Sequence, residues 1–253
     1  MSYGTIIRNK YLFIWGDMEN YSYIKKNYEA LCLELDSIAE RLGVPRATLV
    51  CVTKSGTDEE LLALAGFGAA DIGENRPGEL KRRGELLLGE GFEPRLHEIG
   101  TLQRNKVKYI IDKVALIHSL DSYALAVEID KRAAAVGRRV PVLIEVNSAR
   151  EAAKGGIMPE DVEAFAESLS ALSSIEVKGL MTMGPALDNP EDVRPYFRLT
   201  KEIFDKLKNR QLFSGEPVLS MGMSDSYKVA IEEGSTLVRV GRKLFNKGEC
   251  ENV

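Results

Sequence analysis

The chain has 253 residues, 44% of them hydrophobic and 28% charged, which excludes a disordered polymer and leaves room for one large domain or two small ones. Its net charge of −4 comes without any block of basic residues, which argues against nucleic acid as a main partner. Three cysteines without metal-ligand spacing (Cys32, Cys51, Cys250) and only two histidines (His97, His118) argue against a metal site, and the odd cysteine count points to a reducing, cytoplasmic compartment.

Residues 1–19 read as an extension outside the core fold. Their apolar run, Tyr11 to Trp15, is too short for a signal sequence or a membrane span. The spacing of Tyr23, Ile24, Tyr28, Leu31, Leu35, Ile38 and Leu42 predicts a helix over 20–42, ended by Gly43-Val44-Pro45. A first strand follows over 48–53. Its apolar residues give way to Thr53 and Lys54, then to the turn residues Ser55 and Gly56. Thr57-Asp58-Glu59-Glu60 matches a capping box and starts the next helix.

The pattern then repeats. Strands are expected over 69–73, 95–100, 114–119, 140–147, 175–182, 217–220 and 236–241. Helices are expected from Asn75 to about Leu88, from Gln103, over 122–136, 159–172 and 191–210, and over 224–232. Strict alternation argues for a parallel sheet with crossover helices, and eight units argue for closure. No GxGxxG follows the first strand, so a dinucleotide fold loses its best support. A barrel of this kind needs roughly 250 residues and would use the whole chain. The expected fold is therefore α/β: a single (β/α)8 TIM barrel over 20–253, with an additional N-terminal helix.

Functional groups in such a barrel stand at the C-terminal ends of the strands. Lys54 ends the first strand after a run that reads as buried; the other reading is a lysine that snorkels to water. The small-residue loop Ser220-Met221-Gly222-Met223-Ser224-Asp225 leads into a helix, and with Gly241 at the next strand end it reads as a phosphate site. Ser224 or Asp225 could instead be a plain helix cap. Arg239 stands between Val238 and Val240, so if the valines face the helices it faces the barrel interior. A buried guanidinium needs acceptors: an ion pair with Glu145 is one reading and a bound ligand the other. Gln103 to Lys106 read either as a solvated helical turn or as site residues. His97 reads as packing, and Glu74 as a base or as a pin for its loop. Lysine, phosphate site and buried arginine together fit pyridoxal 5'-phosphate (PLP), whose aldehyde condenses with lysine amines. A cofactor-free Schiff-base aldolase acting on a sugar phosphate fits them too.

Several stretches, in their order and spacing, carry a family resemblance. They are Val52-Thr53-Lys54, Ile72-Gly73-Glu74-Asn75, His97 to Lys106, Glu151 with Lys154 and Gly156, Gly179 to Met183, Leu219 to Asp225, and Gly234 to Gly241. With these the chain resembles the pyridoxal phosphate homeostasis protein family, whose fold is like the N-terminal barrel of alanine racemase. The resemblance implies that Lys54 holds PLP as a Schiff base and that Asn75 lies near the ring. It also implies that Ser220, Ser224, Gly241 and the backbone at Arg242 hold the phosphate, and that Arg239 faces the pyridine nitrogen. Glu98 and Arg242 depart from the family pattern; Arg242 stands where a small hydroxyl residue is common.

The resemblance implies a non-catalytic carrier that stores or delivers PLP to PLP-dependent apo-enzymes, without membrane or nucleic-acid partners, as a monomer. The alternative is a PLP-dependent, racemase-like enzyme. Racemases add a β-domain that supplies a second acid–base residue, and the chain ends about ten residues after the eighth strand. An arginine at the pyridine nitrogen also disfavours the protonated ring that stabilises carbanions; racemases share that arginine, so catalysis there needs other well-placed acid–base groups. No catalytic pair is identified.

Overall fold

Eight strands pair in sequence order and close on themselves: β1 (Thr48–Val52), β2 (Asp71–Glu74), β3 (Arg95–Glu98), β4 (Val114–Leu120), β5 (Val140–Glu145), β6 (Ile175–Met181), β7 (Val218–Ser220) and β8 (Leu237–Val240). Every pairing is parallel, and β8 returns to β1 with Val50 opposite Arg239. This computed structural model describes residues 18–151 and 155–248. Most of the expected extension, and Lys154, lie outside the described residues.

The outer layer holds α1 (Ser22–Leu42), α2 (Asp58–Gly66), α3 (Pro77–Gly89), α4 (Tyr123–Ala135), α5 (Val162–Ser168), α6 (Arg194–Asn209) and α7 (Tyr227–Glu232). The capping box at Thr57 forms as the sequence predicts, with Glu60 N–H donating to Thr57 Oγ1 and Thr57 N–H donating to Glu60 Oε2. α1 packs against both α2 and α7. It thus takes the place in the ring that a helix after β8 would fill. α6 shows why such helices form: Phe197, Thr200, Phe204 and Leu207 recur every three or four residues and are its buried face. Truncating Phe204 to alanine would cost on the order of 3–5 kcal/mol.

Two expected helices differ. After β3 the chain makes only a 3₁₀ turn, Arg104–Tyr109, because Val107 is its one buried residue and no apolar stripe is available to hold a longer helix. α7 begins at Tyr227 rather than at Ser224, because Ser226 and Tyr227 N–H both bond back to Met223 O in a separate turn.

The barrel interior has two levels. Val50, Leu116, Leu143, Met181 and Leu237 pack together, with Val218 against them. One pleat further along four of those strands the inward residues turn polar: His118 after Leu116, Glu145 after Leu143, Ser220 after Val218 and Arg239 after Leu237. The apolar level is a plug and the polar level is the floor of a site. Val238 and Val240 belong to the outer cluster, so Arg239 does face inward.

Candidate functional site

A cavity of about 670 Å³ opens at the C-terminal ends of the strands. Lys54, Asn75, Ser224, Arg239, Gly241 and Arg242 all line it. Six of the seven residues singled out from sequence therefore meet in one place. Lys54 is exposed to the cavity and not shut away from water as its strand suggests. Ile99, Met183, Pro185, Leu187 and Met223 add apolar wall, and Glu145 and Asp225 add carboxyls. The volume falls within the range of small-molecule sites.

The loop that carries Lys54 is fixed from behind. Arg83 of α3 donates to Thr53 O, to Gly56 O at 2.6 Å and to Glu74 Oε1 at 2.6 Å. Thr53 Oγ1 donates to the same carboxylate oxygen at 2.6 Å. Glu74 is thus a pin, paired and turned away from the cavity. Arg83 was not foreseen, yet its signal is in the sequence. It shares a stripe with Leu80, Gly84 and Leu87, the other buried residues of α3. Asn75 is held by close backbone contact: a Cβ on Gly100 would lie 2.3 Å from Asn75 O, so only glycine fits there.

Ser220 is the exception among the expected residues. It is fully buried and does not line the cavity. Its Oγ accepts from Arg239 Nη1, and Arg239 Nη2 donates to Thr182 O at 3.0 Å. Ser220 thus sits beneath the arginine, where the sequence reading put it against a phosphate. Of the two readings of Arg239, the ion pair with Glu145 does not form; both bonds from the guanidinium end on neutral acceptors. Burial pulls Arg239 down to about 10 and the charge of Glu145 resists, so Arg239 remains a cation at neutral pH.

Behind Ser220 runs a chain of buried polar groups. His118 Nδ1 meets Ser220 Oγ at 3.0 Å, His118 Nε2 meets His97 Nδ1 at 3.0 Å, and His97 Nε2 meets Asp71 Oδ1 at 2.9 Å. Arg95 closes the chain on Asp71. Burial pushes Asp71 up, but hydrogen bonds from His97 and Arg95 outweigh it and hold the carboxyl at about 2. Ionised Asp71 can only accept, so His97 donates from Nε2. Burial, with the charges of His97 and Arg239, keeps His118 well below the ordinary histidine range, hence neutral. Neutral His118 donates from one ring nitrogen and accepts at the other, so it links Ser220 and His97 into one continuous chain that ends on Asp71. His97 is a link in this chain, not the packing residue its sequence position suggests.

At the opposite end, Gly241 N–H points to Ser224 Oγ at 3.4 Å. Ser224 therefore does not cap α7, whose cap position is Ser226. A Cβ on Gly241 would sit 2.9 Å from Val52 O, so a larger residue would strain the cradle. Arg242, in place of the family's small hydroxyl residue, pairs with Asp225 on the rim. Glu98, the other departure, is buried on the outer side of β3 opposite Glu74. Its Oε1 accepts from Gly100 N–H at 3.2 Å and its Oε2 has no partner. Burial, helped by the charge of Glu74, pushes it up to about 8. Glu98 braces the Gly100 turn as a neutral acid.

Residues 27–247 match the alanine racemase N-terminal domain family. A pyridoxal phosphate homeostasis protein of Aquifex aeolicus is 43% identical over 225 residues, 85% of this chain and 97% of the relative. The chain belongs to the pyridoxal phosphate homeostasis protein family. A second member, from Helicobacter pylori, is 36% identical over 79% of this chain and 87% of its own length. Among solved structures, PipY of Synechococcus elongatus with PLP bound aligns at 27% identity and a TM-score of 0.76, over 88% of this chain and all of PipY. Alanine racemase of Clostridium difficile, at 18% identity and a TM-score of 0.63 over 58% of that enzyme, shares the fold alone. Of Glu98 and Arg242, only Arg242 lines the cavity.

Proposed function

We propose that the chain binds pyridoxal 5'-phosphate in this cavity and serves in PLP homeostasis as a carrier. The observation that carries the reading is the convergence of three chemistries in one cavity: an amine at Lys54, a fixed cation at Arg239, and the Ser224–Gly241–Arg242 end. These residues fit the group. A buried arginine without a carboxylate partner has donors to offer, and the glycine cradle admits close approach. Lys54 would hold the aldehyde carbon covalently, Ser224 with the backbone of Gly241 and Arg242 would receive the phosphate, and Asn75 would orient the ring. When bound, the cofactor supplies an aldehyde and an aromatic electron sink.

The role of Arg239 supports a carrier over an enzyme. Ser220 and Thr182 hold the guanidinium in one orientation, and it stays charged, so it presents N–H donors to a ring nitrogen. A donor there disfavours protonation of that nitrogen and weakens the electron sink. Delivery to PLP-dependent apo-enzymes, as a cytoplasmic monomer, completes the proposal. No described helix is long and apolar enough to cross a membrane.

The untreated protein should show an absorbance band near ~420 nm that disappears in Lys54→Ala. Arg239→Leu should shift or weaken that band more than Glu98→Ala does. A colourless protein that gains no band with added PLP would overturn the reading. Racemisation of amino acids above background would return the enzyme to favour.

A further inference from the structure

One acid in the cavity has no part in the seat described above. Glu145 follows Leu143 on the inward face of β5, is 6% exposed, and lines the same cavity as Lys54 and Arg239. Its carboxyl meets no hydrogen-bond or ion-pair partner among the described residues. Arg239, the nearby cation, directs its bonds to Ser220 and Thr182. Asp121, just past β4, adds negative charge on the same side: burial first, then Asp121, push Glu145 up to about 7 against the pull of Arg239. A buried carboxyl with no partner is costly, and Glu145 accordingly keeps its proton up to about pH 7.

The adjoining hollow is lined by Glu145, Ser148, Thr182 and Met183. Thr182 Oγ1 donates to Val146 O at 2.9 Å, so the 2.8 Å bond between Ser148 and Thr182 must be donated by Ser148. Ser148 Oγ therefore keeps its lone pairs. Glu145, once ionised, and Ser148 thus offer oxygen acceptors side by side on this hollow. No group of three residues that could hold a metal ion exists among the described residues. A single compact cation with several N–H donors satisfies this set best.

We propose that Glu145 and Ser148, with Asp121 behind them, form a subsite for the primary ammonium group of a second small ligand. Such an amine would enter the cavity beside Lys54 without needing the phosphate end. The subsite depends only on residues of the free chain, so its test does not involve PLP.

The test uses full-length protein freed of small molecules and labelled at the glutamate carboxyl carbons with ¹³C, Glu145 being assigned from the signal missing in Glu145→Gln. At slightly acidic pH, methylammonium chloride should move that signal to its ionised position, and tetramethylammonium chloride, which has no N–H, should not. Lys54, Arg239 and Asp121 are the other charged groups around Glu145. With their charges constant, methylammonium should bind about tenfold tighter at pH 8 than at pH 6, because only ionised Glu145 accepts it. Glu145→Gln should bind at least ~10-fold more weakly, with no such pH dependence. L-alanine, titrated in parallel, tells whether an α-carboxylate is tolerated; a response to either amine supports the subsite. An unresponsive Glu145 signal, an equal response to tetramethylammonium, or undiminished binding to Glu145→Gln would overturn it. Loss of PLP binding with the methylammonium response intact would overturn the carrier reading alone.

Discussion

Two buried arginines sit on opposite sides of the barrel wall. Arg83, outside it, meets the carboxylate of Glu74 and two backbone carbonyls, and its charge is neutralised within the protein. Arg239, inside it, meets a serine hydroxyl and one carbonyl, with no carboxylate of the described residues in ion-pair range. The first arrangement neutralises the charge, leaving only Nε without a hydrogen bond, and braces the loop that carries Lys54. The second leaves a cation in want of a partner and faces a cavity. A buried charge is a structural element when the chain neutralises it, and a binding element when it does not.

The sharpest way to break this comparison is to remove each arginine. Arg83→Ala strands Glu74 as a buried unpaired charge and should cost about 3–5 kcal/mol in urea denaturation. Arg239→Leu leaves only neutral groups unmet and should cost about 1–2 kcal/mol while shifting or weakening the cofactor band. Equal stability losses would erase the distinction.

Glu98 provides the next test, as a buried acid that its neighbours do not neutralise. Its folded value, about 8, lies above the ordinary 4.5. The fold therefore holds the proton more tightly than the unfolded chain. The resulting contribution is fully present below about pH 4.5 and is lost as pH rises toward 8. Glu98→Gln should remove that loss and gain on the order of 3 kcal/mol over the wild type near pH 8, with little gain near pH 4.5. Thermal melts across that range check it; a pH-independent difference would contradict the neutral state of Glu98.

The smallest effect is expected from the histidine chain. His118→Ala removes the ring that holds the Ser220 hydroxyl beneath Arg239, and should cost about 1–3 kcal/mol of stability. Its more telling result is a displaced absorbance band from bound PLP, through a residue that does not line the cavity. An unchanged band would reduce the chain to packing.

Much of this was legible in the sequence. Alternating patterns marked all eight strands, and the valines around Arg239 fixed its direction. Lys54 was legible because an apolar run ended on it. Ser220 was misplaced because sequence spacing gives a face of a strand but not which level of that face reaches solvent. The polar chain was hidden for a related reason. His97 and His118 meet only because β3 and β4 pair with a register shift between Leu96 and His97, which no local pattern signals. The sequence left open whether Arg239 pairs with Glu145, because two inward residues on different strands need not touch. Arg83 could have been found, since a cation on an apolar helix stripe is a visible anomaly.

The most direct measurement of the carrier reading is the mass of Lys54 peptides after borohydride reduction of protein incubated with PLP. The expected result is one reduced pyridoxyl adduct, located on Lys54 and absent from Arg239→Leu at limiting cofactor. An adduct spread over several surface lysines, or none at all, would contradict it.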